Sequence, residues 1–388
     1  MLKTEAKILD DKEAILDLDR SGLFKDEFDF PRNLRKAVEN VKAFALPEKV
    51  KLRHRVIRYK DVENIVLAGM GGSAIAGDIL KDWIGNEIAV PMETVRGYHL
   101  PAYLNEKSLV FFISYSGNTE ETLSCMHDAA EKGCQIIAIS SNGALGRVTQ
   151  ALGLPLIELP KMAAARASLP YLFAPLPYML AKVGVLPLSK VEREMSDAVE
   201  VVDKMTRELA IEVPIEENFA KKAALEIFGT VPIVYCYNPY KSVGLRFKDQ
   251  VNENCKLPAR CDVFPELNHN EIMGWEAQES ILKRYTLVLL RDLEIEPIEV
   301  KARIDALKEK FFSRKAKSVV EISSQGKTPL GKIFSLIFLL DVVSMYLAVL
   351  HGRDPVASET FRILKYEVTE RLGTLRKLEK QILQLSSV

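Results

Sequence analysis

Three times in the first 140 residues, a short apolar run ends in glycine or hydroxyl residues. Asn64 to Ala68 (NIVLA) runs into GMGGS, Ser108 to Ile113 (SLVFFI) runs into SYSGNTEET, and Gln135 to Ser140 (QIIAIS) itself ends on serine. Runs of this length, rich in β-branched and aromatic residues, read as buried strands. A helix through Ile84 is expected after the first, helical sequence follows the second, and Pro155 to Leu159 is a candidate fourth strand. Strands alternating with helices imply βαβ units and a parallel sheet. The alternation resumes at Thr230 to Tyr237 (TVPIVYCY) and continues through Thr286 to Leu290 and Ser318 to Ile322. The expected fold class is therefore α/β, with two domains, each a parallel β-sheet flanked by helices. The expected organisation is a helical lead-in over 1–55, a first domain over 56–187, a helical connection over 188–225, and a second domain with C-terminal helices over 226–388. Leu34, Val38 and Val41 give the lead-in its helical spacing.

Lys plus Arg and Asp plus Glu number 53 each, so no basic excess is present to neutralise nucleic-acid phosphates. The five cysteines form no CxxC pair and no Cys/His cluster, which points to reduced thiols in a cytoplasm and to no metal site. The charged N-terminus does not read as a signal peptide. Ile333 to Leu350 (IFSLIFLLDVVSMYLAVL) is nearly long enough to span a bilayer. Asp341 stands in its middle, where a carboxylate costs about 2.5–3.5 kcal/mol on insertion scales. A helix buried in the core or in a subunit interface is expected instead, with no membrane partner.

Gly69, Gly71, Gly72 and Ser73 sit where a strand hands over to a helix. Glycine lets the backbone approach a ligand there, and free N–H groups at a helix start attract anions. The loop is neither the dinucleotide fingerprint GxGxxG with its distant acidic residue nor a P-loop. Ser114, Ser116 and Thr119 place three hydroxyls at the next such junction, more than one helix start needs for capping. For the first loop alone a tight turn without a ligand is the alternative, and for the second a polar cap. Together, on adjacent parallel strands, they face one crevice and form a phosphate-site pattern. Further on, KDQVNENCK carries Glu253, and ELNHNEIMGWE carries His269.

In these motifs the chain resembles the bifunctional phosphoglucose/phosphomannose isomerases, which are built from two sugar isomerase (SIS) domains. The resemblance rests on DRSGLFKDEFDFP, GMGGSAIAGD, SYSGNTEET, ARASLPYL, NENCK, ELNHNEIMGW and DPVASETFRILK, in that order. It implies a metal-independent aldose–ketose isomerase that needs no cofactor. Such an enzyme interconverts glucose 6-phosphate, and mannose 6-phosphate as a second substrate, with fructose 6-phosphate. By the resemblance, Ser73, Ser114, Ser116 and Thr119, beside Gly72, hold the 6-phosphate. Glu253 is the base and His269 the ring-opening group, contributed by the neighbouring subunit of a homodimer. Arg166 stands beside the enediolate and Lys365 near the ring oxygen. Ser358, seven positions before Lys365, replaces a threonine that assists the mannose reaction. Positions seven apart share a helix face, so the two side chains are expected to point one way.

The alternative is a non-catalytic SIS sensor of sugar phosphates. It would need the phosphate loops but not Glu253, His269, Arg166 and Lys365 together. An amidotransferase-type hexosamine-6-phosphate synthase would need a glutaminase nucleophile, and no N-terminal cysteine is present to supply one.

Overall fold

In a computed structural model, which describes residues 6–52 and 54–386, each of the two alternating regions closes into a parallel sheet. Each sheet organises a unit that is discontinuous in sequence: Arg32–Arg193 with Ser358–Val388, and Met1–Pro31 with Glu194–Ala357. The boundary at Arg193 falls inside the helix Leu188–Glu208.

The first-sheet unit opens with the helical residues that follow Pro31, which end at Ala43, and a hairpin of β1 (Lys49–Leu52) and β2 (Arg55–Arg58). Charged and apolar residues alternate in KVKL, and the buried positions alternate with them. That period of two, set by side chains pointing to opposite faces, makes a strand where a helical lead-in through residue 55 was expected. The main sheet contains β3 (Asn64–Gly69), β4 (Met92–Val95), β5 (Ser108–Ser114), β6 (Gln135–Ser140) and β7 (Leu156–Glu158). All are parallel, in the order β4-β3-β5-β6-β7. Every residue of β3, β5 and β6 is buried, which is why these strands read as unbroken apolar runs. The strand order reverses between β3 and β5, and in open parallel sheets ligands bind in the crevice outside the strand ends at that point.

Helices Gly71–Ile84, Glu120–Lys132 and Gly143–Ala151 follow β3, β5 and β6. The C-terminal helix Thr374–Leu383 packs on the last two. Arg147 pins it, donating from Nε to Glu379 Oε1 at 2.6 Å and from Nη2 to Oε2 at 2.9 Å. These bonds hold the Glu379 carboxyl below its usual range, against the opposing effect of burial. A depressed carboxylate pKa contributes stability above the unfolded-state value and loses it as pH falls through the folded value. Arg147 is largely exposed, so solvent screens the pair. Glu379→Gln is expected to cost about 0.5–1 kcal/mol at pH 7. Its urea midpoint should converge with that of the wild type below about pH 4.

The second-sheet unit contains β8 (Val231–Tyr237), β9 (Arg260–Phe264), β10 (Tyr285–Arg291) and β11 (Ser318–Ser323), all parallel in the order β11-β10-β8-β9. Tyr235, Leu287 and Leu289 join Phe264, Trp275 and Phe312 in one core cluster. The apolar segment forms the helix Pro329–Leu350, buried throughout its most hydrophobic stretch. It can be apolar on every side because other elements cover it all round. Lys7–Asp10, Leu23–Phe28, Phe219–Ile227 and Lys241–Gln250 pack on it. Ring centroids lie 5.6 Å apart for Phe24 and Tyr346, 6.0 Å for Phe28 and Phe338, and 5.7 Å for Phe30 and Phe334.

The polar residues of this helix have specific partners. Asp341 accepts from Arg246 Nε at 2.9 and 3.0 Å and from Nη2 at 2.7 Å, with both side chains buried. Ser335 accepts from Gln325 N and donates to Lys332 O. Ser344 accepts from Asn254 Nδ2 and donates to Asp341 O.

Candidate functional site

The turn from β3 into the helix Gly71–Ile84 is made by Met70 and Gly71. Gly71 has φ +49°, a left-handed conformation that favours glycine. Met70 is the extended N-cap residue and its thioether caps nothing, so the N-cap leaves the N–H groups of the first turn without a side-chain acceptor. A Cβ on Gly72 would stand 3.6 Å from Arg166 Cα, so this turn and the 3₁₀ segment Ala165–Ser168 run side by side. Ser73 Oγ accepts from Tyr115 N at 3.2 Å and ties the first loop to the second.

In the second loop, Ser114 Oγ accepts from Gly117 N at 3.1 Å and lies 2.9 Å from Thr119 Oγ1. Thr119 holds the N-cap position of the helix Glu120–Lys132 but makes no capping bond. Two helix starts without side-chain caps thus meet at the ends of β3 and β5. Ser116 is exposed, and its Oγ accepts from Asn118 N at 3.2 Å. Neither GMGGS nor SYSGNTEET contains a lysine or arginine. An anion here would be held by N–H groups, hydroxyls and helix dipoles. Burial, and secondarily the charge of Glu121, raises the Glu120 carboxyl at the same helix start, while a bond from Tyr98 Oη opposes the shift.

The loop is rigidly braced. Gly117 has φ +65°, and a Cβ there would fall 1.7 Å from Asn142 O, so glycine alone fits. Its carbonyl accepts from Leu145 N at 2.8 Å, and Asn118 Oδ1 accepts from Ala144 N at 3.0 Å. Tyr115 Oη accepts from Met162 N at 2.6 Å and lies 3.1 Å from Met162 O, fixing the segment that leads to Arg166. Arg166 itself is buried. Tyr115, Asn118 and Asn142 are supporting residues that the sequence reading passed over. The Gly-Asn pair in SYSGNTEET was the available sign of a constrained turn.

In the second-sheet unit, Glu253 lies in a π turn, Val251–Cys255, that continues the helix Lys241–Gln250. Its flank is anchored: Asn254 Nδ2 donates to Ser344 Oγ at 2.8 Å and Cys255 Sγ to Ser344 O at 3.1 Å. One helical stretch earlier, Arg246 pairs with Asp341. Burial alone would push Arg246 down, but the Asp341 charge and hydrogen bonds outweigh it, with Glu27 and Glu253 adding to the upward shift. The Glu253 side chain is exposed.

His269, also exposed, ends the 3₁₀ turn Glu266–His269, which is rooted by buried Leu267. The following turn, Glu271–Glu276, is fixed by Tyr235. Its Oη donates to Glu271 Oε1 at 2.9 Å and accepts from Trp275 Nε1 at 2.8 Å. Ser358 precedes the helix Glu359–Lys365 as its N-cap, with Oγ accepting from Phe361 N at 3.3 Å. The helix thus starts one residue later than the shared-face argument required, because a serine side chain bonds nearby backbone groups and is favoured at caps over helix interiors. The side chain of Lys365 lies outside the described residues.

The structure thus gathers Gly72, Ser73, Ser114, Thr119 and Arg166 around the ends of β3 and β5, with Ser116 at the rim. Glu253 and His269 occupy separate turns of the second-sheet unit.

Residues 58–158 match the SIS domain family, and residues 216–368 match the bacterial phospho-glucose isomerase C-terminal SIS domain. The chain is 36% identical over 349 residues to a bifunctional phosphoglucose/phosphomannose isomerase of Caldicellulosiruptor bescii, covering 90% of this chain and 99% of that protein. It is 35% identical over 308 residues to the protein of that name from Aquifex aeolicus, covering 79% and 90% respectively. Among solved structures, a hypothetical protein from Thermus thermophilus shares the fold, with a TM-score of 0.65 at 19% identity over 96% of both chains.

Proposed function

The chain belongs to the bifunctional phosphoglucose/phosphomannose isomerases, and we propose a metal-free proton shuttle as the way it interconverts glucose and mannose 6-phosphates with fructose 6-phosphate. The observation that carries the reading is the pair of helix starts without side-chain caps at β3 and β5, lined by hydroxyls. That is a site for a dianionic phosphate at the end of a sugar. Ser73, Ser114, Ser116 and Thr119, beside Gly72, take the 6-phosphate. Binding energy from this remote group aligns C1 and C2 for reaction.

His269 moves a proton between the ring oxygen and the C1 hydroxyl, work suited to an imidazole whose ordinary pKa is near neutrality. Lys365 assists near the ring oxygen. Glu253 then removes the proton from the carbon next to the carbonyl and returns it to the neighbouring carbon. Arg166 offers a fixed cation to the cis-enediolate formed between those steps. Ser358 serves the mannose branch. Its capping bond uses the oxygen as acceptor, so the hydroxyl hydrogen can still be donated to substrate.

His269 comes from a second copy of the chain. Exposed Phe361, Ile363 and Leu364 on the helix Glu359–Lys365, and Met273 near His269, support a homodimer. A cytoplasmic setting agrees with five free cysteines, three of which (Cys125, Cys134 and Cys255) burial pushes up to about 12.

The test is proton NMR of fructose 6-phosphate in D₂O with metal-stripped protein. Deuterated glucose 6-phosphate and mannose 6-phosphate are both expected. Glucose 6-phosphate alone would remove the mannose branch, and turnover restored only by added divalent metal would remove the metal-free mechanism.

A further inference from the structure

Directly after the Glu253 turn the backbone enters the left-handed region at Lys256, with φ +59°. Helices commonly end this way, but on glycine, because a side chain at that φ is sterically disfavoured. A lysine held there suggests that its side chain does something a glycine could not. Lys256 Nζ donates to three carbonyl oxygens: Glu253 O at 2.7 Å, Pro355 O at 2.9 Å and Asp354 O at 3.1 Å. Glu253 O is one of the last carbonyls of its helix, the kind of group a terminal lysine satisfies. The other two acceptors lie in a separate turn, which is itself ordered: Asp354 Oδ1 accepts from Val356 N at 2.8 Å and from Ala357 N at 3.3 Å.

We propose that Lys256 is a positioning residue for the isomerisation, a clamp that fixes the turn carrying Glu253 against the Asp354–Pro355 turn. The inference rests on the isomerase reading above, with Glu253 as the base. A base that shuttles a proton between adjacent carbons must hold its aim through both transfers. Small misplacements of a catalytic group are costly, and one of about 1 Å can lower a rate on the order of 100-fold. On this view the strain at Lys256 is tolerated because the clamp reduces the freedom of Glu253.

The experiment compares wild type, Lys256→Gly, Lys256→Asn and Lys256→Arg, with turnover measured on glucose 6-phosphate carrying either hydrogen or deuterium at C2. Glycine and asparagine both accept a positive φ, so neither variant adds backbone strain. The melting temperature of Lys256→Gly should hold or rise. Its kcat should fall by about 10- to 100-fold, with KM changed by less than about threefold. The deuterium isotope effect on kcat should rise, because proton abstraction becomes the slow step. Lys256→Asn should behave likewise, and Lys256→Arg, whose guanidinium can reach the same carbonyls, should recover part of the loss.

Wild-type kcat and isotope effect in the glycine and asparagine variants would overturn the inference. So would a loss of kcat that follows a fall in melting temperature with no change in isotope effect, since that is what a purely structural cap would give. A wild-type protein that does not turn over the sugar phosphate would overturn the isomerase reading itself, and the clamp with it.

Discussion

Replacing Glu253 with glutamine is expected to lower kcat by about 10²–10⁴-fold, the usual contribution of a positioned general base. The amide keeps the shape of the side chain and removes its capacity to take a proton. The loops proposed to hold the phosphate belong to the other sheet, so KM for fructose 6-phosphate should change little. Ring opening is a separate step assigned to His269, so it should survive the substitution. Exchange between the α and β anomers of glucose 6-phosphate, followed by NMR exchange spectroscopy, should remain accelerated by Glu253→Gln and be lost in His269→Asn. If both variants stop anomer exchange, the division of labour between the two residues is wrong. If Glu253→Gln still exchanges the C2 hydrogen with solvent, another group is the base.

The second large effect concerns stability. Asp341→Asn should destabilise the chain by about 3–5 kcal/mol, because it removes the carboxylate from a buried guanidinium. Total stabilities of about 5–15 kcal/mol are usual, so this loss is a large share, readable as a fall in the urea midpoint. The double variant Arg246→Met with Asp341→Leu should regain most of it, since apolar groups of similar volume replace buried pairs at little net cost. If the single variant loses less than about 1 kcal/mol, the pair is not the anchor its geometry indicates.

Much of the first sheet was legible because its central strands are buried on both faces and are written as continuous apolar runs. Two of the edge strands were not. Met92–Val95 (METV) and Arg260–Phe264 (RCDVF) are partly exposed, so their sequences mix polar and apolar residues and carry no run. The two loops at the ends of β3 and β5, the proposed phosphate site, stood out because glycine and hydroxyl residues at a strand end are a local pattern. The bracing around them could not, since Tyr115 reaches Met162 and Gly117 meets Asn142 only once three strands lie side by side. Asp341 stood out in the sequence as an anomaly in an apolar segment. Its partner, Arg246, lies almost a hundred positions away, where nothing in the local sequence announces it. Lys256 was in a motif already singled out, yet its role depends on a backbone angle, which residue type alone does not disclose.

The discontinuous units constrain the order in which the chain can fold. Phe24, Phe28 and Phe30 are made well before Tyr346, Phe338 and Phe334, the rings they cover, which arrive about 300–320 residues later. At translation rates of about 5–20 residues per second, that is a wait of roughly 15–65 seconds. Through that interval the first segment carries three aromatic side chains without their native cover, the condition in which nascent chains associate wrongly or recruit chaperones. The first-sheet unit faces the reverse problem, since its strands are complete by residue 158 while the helix that Arg147 pins follows the whole of the second sheet. Neither unit can be excised as one continuous fragment. Each unit therefore completes its packing only after both of its segments have been made.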